Sequence, residues 1–254
     1  LGYIMDRNND VEMLRNSVQI NLSVLEACRF QKVPRVLFAS SACVYPSLSP
    51  DTVGLYGAAC REENVPPANP DNEYAWEKIF SERLYLAYGR SFLQTRIARF
   101  HNYYGPLGTW TGGREKAPAA MCRKIAETTP GSKIEIWGEG TAQRSFMYVD
   151  DAVEGAIRLM ASGYAGPINI GSSEMVTVNQ LVHYVSIIAD KPHIEVKHID
   201  GPVGVLGRNS DNTLCRQVLD WEPSIQLVDG IRKTYPWIAA QVEKARLTEP
   251  AVAV

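Results

Sequence analysis

The sequence predicts an α/β fold, a parallel sheet flanked by helices with a smaller α/β C-terminal lobe. Apolar stretches at helical spacing alternate along the chain with short apolar runs of strand length. The first such run ends in small polar residues, as a buried parallel strand does where its carboxyl end opens onto a site. A length of 254 residues suits one large α/β core or two smaller ones.

Val18, Leu22, Leu25 and Cys28 recur at helical spacing, and the helix ends at Lys32-Val33-Pro34 because proline cannot continue it. Arg35 to Ser40 is the buried strand. The polar, proline-rich segment from Pro46 to Asn72 is a long loop, and Glu73 to Tyr88 resumes helical spacing through Trp76, Ile79, Leu84 and Leu86. Arg96 to Phe100 is the next strand. His101 to Gly113, rich in glycine and aromatics without periodicity, reads as a ligand-facing loop. Helices are then expected at Ala117–Thr128 and Asp151–Ala161, with strands at Ile134–Trp137 and Pro167–Ile170. A helix-rich lobe follows, with helices at Thr177–Ala189, Thr213–Leu219 and Leu227–Lys244 and a strand at Ile194–Ile199.

Composition narrows the function classes. Hydrophobic residues make up 45% and charged residues 21% of the chain, as in ordinary globular proteins. With 26 basic and 28 acidic residues the net charge is −2, which argues against a nucleic-acid partner. No apolar run is long enough to span a bilayer, and the first residues do not read as a secretory signal, so no membrane partner and a cytoplasmic location are expected. The five cysteines, Cys28, Cys43, Cys60, Cys122 and Cys215, form no Cys-x-x-Cys pair, so neither a metal nor a disulfide framework is expected.

The strongest chemical signal is Tyr74-Ala75-Trp76-Glu77-Lys78, since residues four apart share a helix face and bring a phenol near an ammonium. Phenols ionise near pH 10, and a neighbouring cation draws that value toward the working range of a base. Such a pair suits alcohol oxidation; by default it is half-buried helix surface. Upstream, the strand ends in Ser40-Ser41-Ala42-Cys43-Val44-Tyr45-Pro46. A thiol ionising near pH 8.5 is a usable acid or base where a hydroxyl is not, although a cysteine in such a turn is ordinarily a small buried hydrophobe. Lys116 and Lys124 by default are solvated charges. Arg208, in a polar turn, is a forked donor suited to diphosphate oxygens. No role falls to the four histidines, to Trp110 or Trp137, or to Cys60.

Together the Ser-Ser turn, Tyr-x-x-x-Lys and Arg99-Phe100-His101-Asn102-Tyr103-Tyr104-Gly105-Pro106 resemble the extended short-chain dehydrogenase/reductases that modify nucleotide sugars. Cys43 in place of the usual Ser or Thr, the segment Gly112 to Lys124, Trp137-Gly138-Glu139-Gly140 and Gly207 to Asn212 are similar to the GDP-mannose 3,5-epimerase family within them. The resemblance implies NAD as cofactor and GDP-mannose or a related nucleotide sugar as substrate. Tyr74 becomes the base for oxidation at C4, with Lys78 tuning it and contacting the nicotinamide ribose. Cys43 and Lys116 become the acid/base pair at C3 and C5. Substrate contacts fall to Ser41, Ala42, Cys43, Asn102, Glu115, Lys116, Ala117, Lys124, Gln143, Arg144 and Arg208. Gln143 follows Ala142, where the family tends to place its glutamine.

The resemblance also implies a Rossmann-type, NAD-binding domain whose remainder is residues 1–110. Residues 111–254 are then mainly the nucleotide-sugar lobe, with about 140–172 returning to the first domain. The glycine-rich turn that such a domain uses for pyrophosphate is absent from the sequence, so roughly the first hundred residues of a complete enzyme are expected to precede Leu1. A homodimer through the helices at Val18–Cys28 and Glu73–Tyr88 is a further implication. A related 4-epimerase or 4,6-dehydratase would need Tyr74 and Lys78 but not Cys43 with Lys116. A non-catalytic remnant lacking the cofactor half, which binds a nucleotide sugar or a partner subunit without turnover, is the third reading.

Overall fold

The computed structural model describes residues 2–46, 59–65, 68–70, 72–129, 131–201 and 207–248. Its helices are α1 (Gly2–Met5), α2 (Asp10–Phe30), α3 (Glu73–Ser91), α4 (Ala117–Glu127), α5 (Val149–Ala161), α6 (Val178–Ile188), α7 (Thr213–Leu219) and α8 (Leu227–Thr248). Its strands are β1 (Arg35–Ser41), β2 (Ala59–Cys60), β3 (Gln94–Phe100), β4 (Tyr103–Tyr104), β5 (Lys133–Trp137), β6 (Gln143–Ser145), β7 (Met147–Tyr148), β8 (Pro167–Ile170), β9 (Met175–Thr177), β10 (Glu195–Ile199) and β11 (Gly207–Ser210).

The central sheet has the order β1-β3-β8, all parallel. Ser40 pairs with Arg99 and Ser41 with Phe100, while Phe100 pairs with Ile170. All three strands therefore end on one edge, where α/β sheets present their ligand sites. Behind that edge, Leu25 of α2 and Tyr85 of α3 pack with Phe38, Leu93 and Ile97. On the other face Leu159 of α5 and Cys215 and Leu219 of α7 bury Ala98, Ile168 and Ile170.

Helix signals explain the element boundaries. α2 begins at Asp10 rather than Val18 because Asp10 and Glu12 supply an acidic first turn that complements the helix dipole. It ends at Phe30, with Gln31 as its C-cap and Lys32 turning the chain at a φ of 54° ahead of Pro34. Asn72 starts α3 by accepting from the Ala75 N–H at 3.0 Å, which sets Tyr74 in the first turn, beside the carboxyl end of β1. Thr177 and Gln180 form a reciprocal capping box at the start of α6.

In the C-terminal part, α4, α6 and α8 enclose a core that includes Cys122, Ile125, Ile136, Leu181, Val185, Ile231 and Ile238. Each such aliphatic side chain contributes about 1.5–3 kcal/mol through burial. β5 pairs in parallel with β10. A second small sheet runs β2-β11-β6-β9, with β6 and β9 antiparallel. It brings Arg208 alongside Arg144 and ties the segment from Ala59 to this part of the molecule. The predicted loop from Pro46 to Asn72 thus contains β2 and a 3₁₀ turn at Glu62–Asn64, and lies in part outside the described residues. The ligand-facing loop likewise contains β4, which pairs with β7.

Candidate active site

The turn after β1 is built by its own side chains. Ser41 accepts from the Cys43 N–H at 3.2 Å, closing a 3₁₀ turn over Ala42–Val44. Cys43 is half-buried and reduced. Arg208 reaches this turn from β11, donating Nη1 to the Ala42 carbonyl at 3.1 Å and Nη2 to the Tyr45 carbonyl at 3.5 Å. Ala42, expected to offer the substrate a contact, is itself buried, and its carbonyl is engaged by Arg208.

Tyr74 faces this turn. Burial pushes its phenol up to about 12, Cys43 adds to the effect, and a hydrogen bond from Ser41 opposes it. This corrects the expectation that Lys78 draws the phenol downward. The Lys78 ammonium donates to the Ala39 carbonyl of β1 at 3.2 Å and stands 3.8 Å from Glu77 Oε2. It meets Tyr74 only over the ring, 5.5 Å from the centroid. Helical spacing brought phenol and ammonium to one face, and the strand carbonyl and the neighbouring carboxylate then decided where the ammonium points.

Beneath the turn lies a buried polar network that sequence reasoning missed. Arg99 of β3 holds Glu82 of α3 through Nε and Nη2 at 2.9 and 2.8 Å, with both side chains almost fully buried. Ser40 donates to the same carboxylate at 2.6 Å. Burial works against the Arg99 charge, but the hydrogen bonds and charge of Glu82 together with Tyr45 outweigh it, and its pKa is raised. Tyr45 donates to Asn169 Oδ1 at 2.7 Å, and Asn169 Nδ2 donates to the Cys60 carbonyl at 2.8 Å. His101 Nε2 lies 3.2 Å from the same Oδ1. Because that oxygen only accepts, His101 is the donor, and burial lowers its pKa to about 4, so the ring is neutral. Gly171 lies against this ring; a Cβ there would stand 2.6 Å from the His101 Cβ. A signal for the network was present in Arg99-Phe100-His101, but its partners lie far away in the chain.

The remaining candidates divide. Asn102 anchors the loop after β3 through its carbonyl, which accepts from Met147 N–H at 2.8 Å. Glu115 accepts from Arg123 at 3.2 Å. Burial raises the Glu115 pKa, but main-chain N–H groups and Arg123 outweigh it, and the net shift is downward. Lys116 is the exposed N-cap of α4, and its ammonium has no partner among the described residues. Ala117 opens that helix with Pro118 behind it. Lys124 is engaged within the C-terminal part, donating to the Glu135 carbonyl at 2.5 Å. Burial and then Arg123 lower its pKa. Gln143 is exposed, and Arg144 beside it is lowered to about 10, by burial and then by the Arg208 charge. The structure thus brings Ser41, Cys43, Tyr74 and Lys78 together at the strand edge and joins Arg208 to them. Glu115 and Lys124 have partners within the C-terminal part.

A Rossmann-like parallel sheet with a Tyr-x-x-x-Lys helix at its carboxyl edge defines the class of this α/β protein. A model of the "NAD dependent epimerase/dehydratase family" matches residues 2–171, and the chain belongs to that family. It is 42% identical over 247 residues to GDP-mannose 3,5-epimerase 1 of Oryza sativa subsp. indica, covering 97% of this chain and 63% of that protein. To GDP-mannose 3,5-epimerase of Arabidopsis thaliana it is also 42% identical, covering 97% of this chain and 64% of the relative. The chain therefore spans less than two thirds of the length of these relatives. In fold it is similar to a UDP-N-acetylglucosamine 4-epimerase from Methanobrevibacter ruminantium M1, with a TM-score of 0.80, 23% identity, and 92% of this chain and 73% of the other covered.

Proposed function

We propose that the protein is a GDP-mannose 3,5-epimerase, converting GDP-mannose to GDP-L-galactose and GDP-L-gulose with NAD. The observation that carries the reading is the placement of Cys43, a titratable thiol, in the Ser41-capped turn that faces Tyr74. A 4-epimerase or 4,6-dehydratase has no use for that thiol.

The residues present fit the nicotinamide-ribose end of NAD. The Tyr74 hydroxyl, held by Ser41, and the partly exposed Lys78 ammonium stand together at the strand edge and offer donors to ribose hydroxyls. When bound, NAD supplies reversible removal of the C4 hydrogen as hydride. Tyr74 takes the C4 hydroxyl proton and returns it. Once C4 is a carbonyl, the C3 and C5 hydrogens are both α to it, and Cys43 and Lys116 remove and return them as a pair. Arg208 and Arg144, neighbours on β11 and β6, supply positive charge for the diphosphate. Ser41, Asn102, Glu115, Ala117, Lys124 and Gln143 complete the sugar-nucleotide contacts, with Lys124 exchanging its Glu135 carbonyl for the ligand.

In this reading residues 1–110 belong to the NAD-binding unit and 111–254 mainly to the nucleotide-sugar unit. The pairing of β8 with β3 supports the return of about 140–172 to the first. The protein works in the cytoplasm as a homodimer. Exposed Ile20 and Val24 on α2 and Trp76 and Phe80 on α3 support an interface on those helices. The direct test is deuterium exchange into GDP-mannose: replacing Cys43 by Ala abolishes exchange at C3 and C5 in an epimerase of this kind and leaves a C4-only enzyme active.

A further inference from the structure

Glu77 stands inside the Tyr74-x-x-x-Lys78 motif and has no part in the chemistry above. Its side chain is 0% exposed at the α2–α3 contact. One oxygen, Oε1, is clamped, accepting from Asn21 Nδ2 at 3.1 Å and from Ser81 Oγ at 2.6 Å. Asn21 also donates to Ser81 at 2.9 Å and accepts from the Tyr85 hydroxyl at 3.3 Å. The other oxygen, Oε2, is buried without a hydrogen-bond partner and is the one 3.8 Å from Lys78 Nζ.

Burying a carboxylate with half its acceptor capacity unused is costly, and an apolar side chain would join two helices more cheaply. The arrangement is accounted for if the free oxygen acts on the ammonium. We infer that Glu77 is a positioning residue for the Tyr74–Lys78 pair: its clamped carboxylate holds the Lys78 ammonium toward the Ala39 carbonyl and keeps a negative charge near the phenol. Both effects make the phenolate harder to form until substrate and cofactor rearrange the site. The groups facing Tyr74 are Ser41 and Cys43 in the turn, Tyr103 on β4, and Glu77 and Lys78 on its own helix. Those facing Glu77 are Asn21 across the helix contact, with Lys78, Ser81 and Tyr85. The Glu77 charge contributes to the upward shift of Tyr74, in agreement with this role.

The inference rests on Tyr74 being the base of the proposed reaction, but its test needs no turnover. The ionised fraction of Tyr74 at a fixed alkaline pH is read by ¹³Cζ-tyrosine NMR of the full chain, the signal being assigned with Tyr74→Phe. Glu77→Gln keeps an acceptor for Asn21 and Ser81 while removing the charge. The ionised fraction is expected to rise roughly three- to ten-fold. Glu77→Asp, which draws the charge back by one methylene, gives a smaller rise and decides the matter if Glu77→Gln does not fold. Tyr85→Phe breaks the Asn21 hydrogen bond without reaching Lys78, and leaves the fraction unchanged. An unchanged or smaller ionised fraction in the folded Glu77 variants overturns the inference, whatever happens to their stability. A positive NMR result with no deuterium exchange into GDP-mannose would instead leave Glu77 in place and remove the epimerase reading.

Discussion

Arg208 and Ala42 lie 166 residues apart, yet the Arg208 guanidinium donates to the Ala42 carbonyl at 3.1 Å. The turn that carries Cys43 is thereby braced from β11, in the second small sheet. A substrate seated on Arg208 would sense the geometry of that turn directly.

Replacing Arg208 by Met removes both donors to the turn, and the protein is expected to lose about 1–3 kcal/mol in urea denaturation. Arg208→Lys restores the charge but not the fork, so it recovers stability only in part. Binding of GDP-mannose, followed by calorimetry, weakens in both variants.

The Arg99–Glu82 pair is almost fully buried, so removing one partner strands the other charge. Glu82→Leu is expected to destabilise the protein by about 3–5 kcal/mol. A double change of Arg99 to Met and Glu82 to Leu costs less than either single change, a coupling that denaturation of all four forms measures.

This network also shows where the sequence stopped being informative. Tyr74, Lys78, Ser41 and Cys43 were legible because local spacing and a strand end place them. Glu82 and Asn169 acquire their meaning only when distant segments meet, and nothing local marks them. The fold divides in the same way. β8 and α7 have the bounds that their apolar runs predict. The strands β2, β4, β6, β7, β9 and β11 are two to four residues long, too short to show a period. Helical spacing alone puts Lys78 on the face of Tyr74, whereas the Ala39 carbonyl and Glu77, which fix its direction, leave no local mark in the sequence.

His101 gives a pH dependence to stability. Its folded pKa, near 4, lies below the usual histidine value, so the unfolded state binds the proton more readily. The stability it contributes is present above about pH 6.5 and is lost as pH falls from there toward 4. The loss attributable to this ring is about 2–3 kcal/mol. His101→Gln flattens that part of the profile, as denaturation between pH 4 and pH 7 checks.

Tyr74 must lose its proton to act as a base, and its phenol is raised to about 12 in the chain alone. The rate therefore rises with pH across the neutral and alkaline range. Ser41→Ala removes the hydrogen bond that opposes the upward shift, so the rising limb of kcat/KM moves to higher pH. A limb that stays in place or moves down would contradict this role for Ser41.

The most direct measurement follows GDP-mannose by NMR in D₂O with NAD and the full-length protein, beside its Cys43→Ala variant. Deuterium is expected at both C3 and C5 with new epimer signals, and the variant loses that exchange by a factor of roughly 10² or more. Deuterium at neither carbon, or exchange that Cys43→Ala leaves untouched, would contradict the epimerase reading.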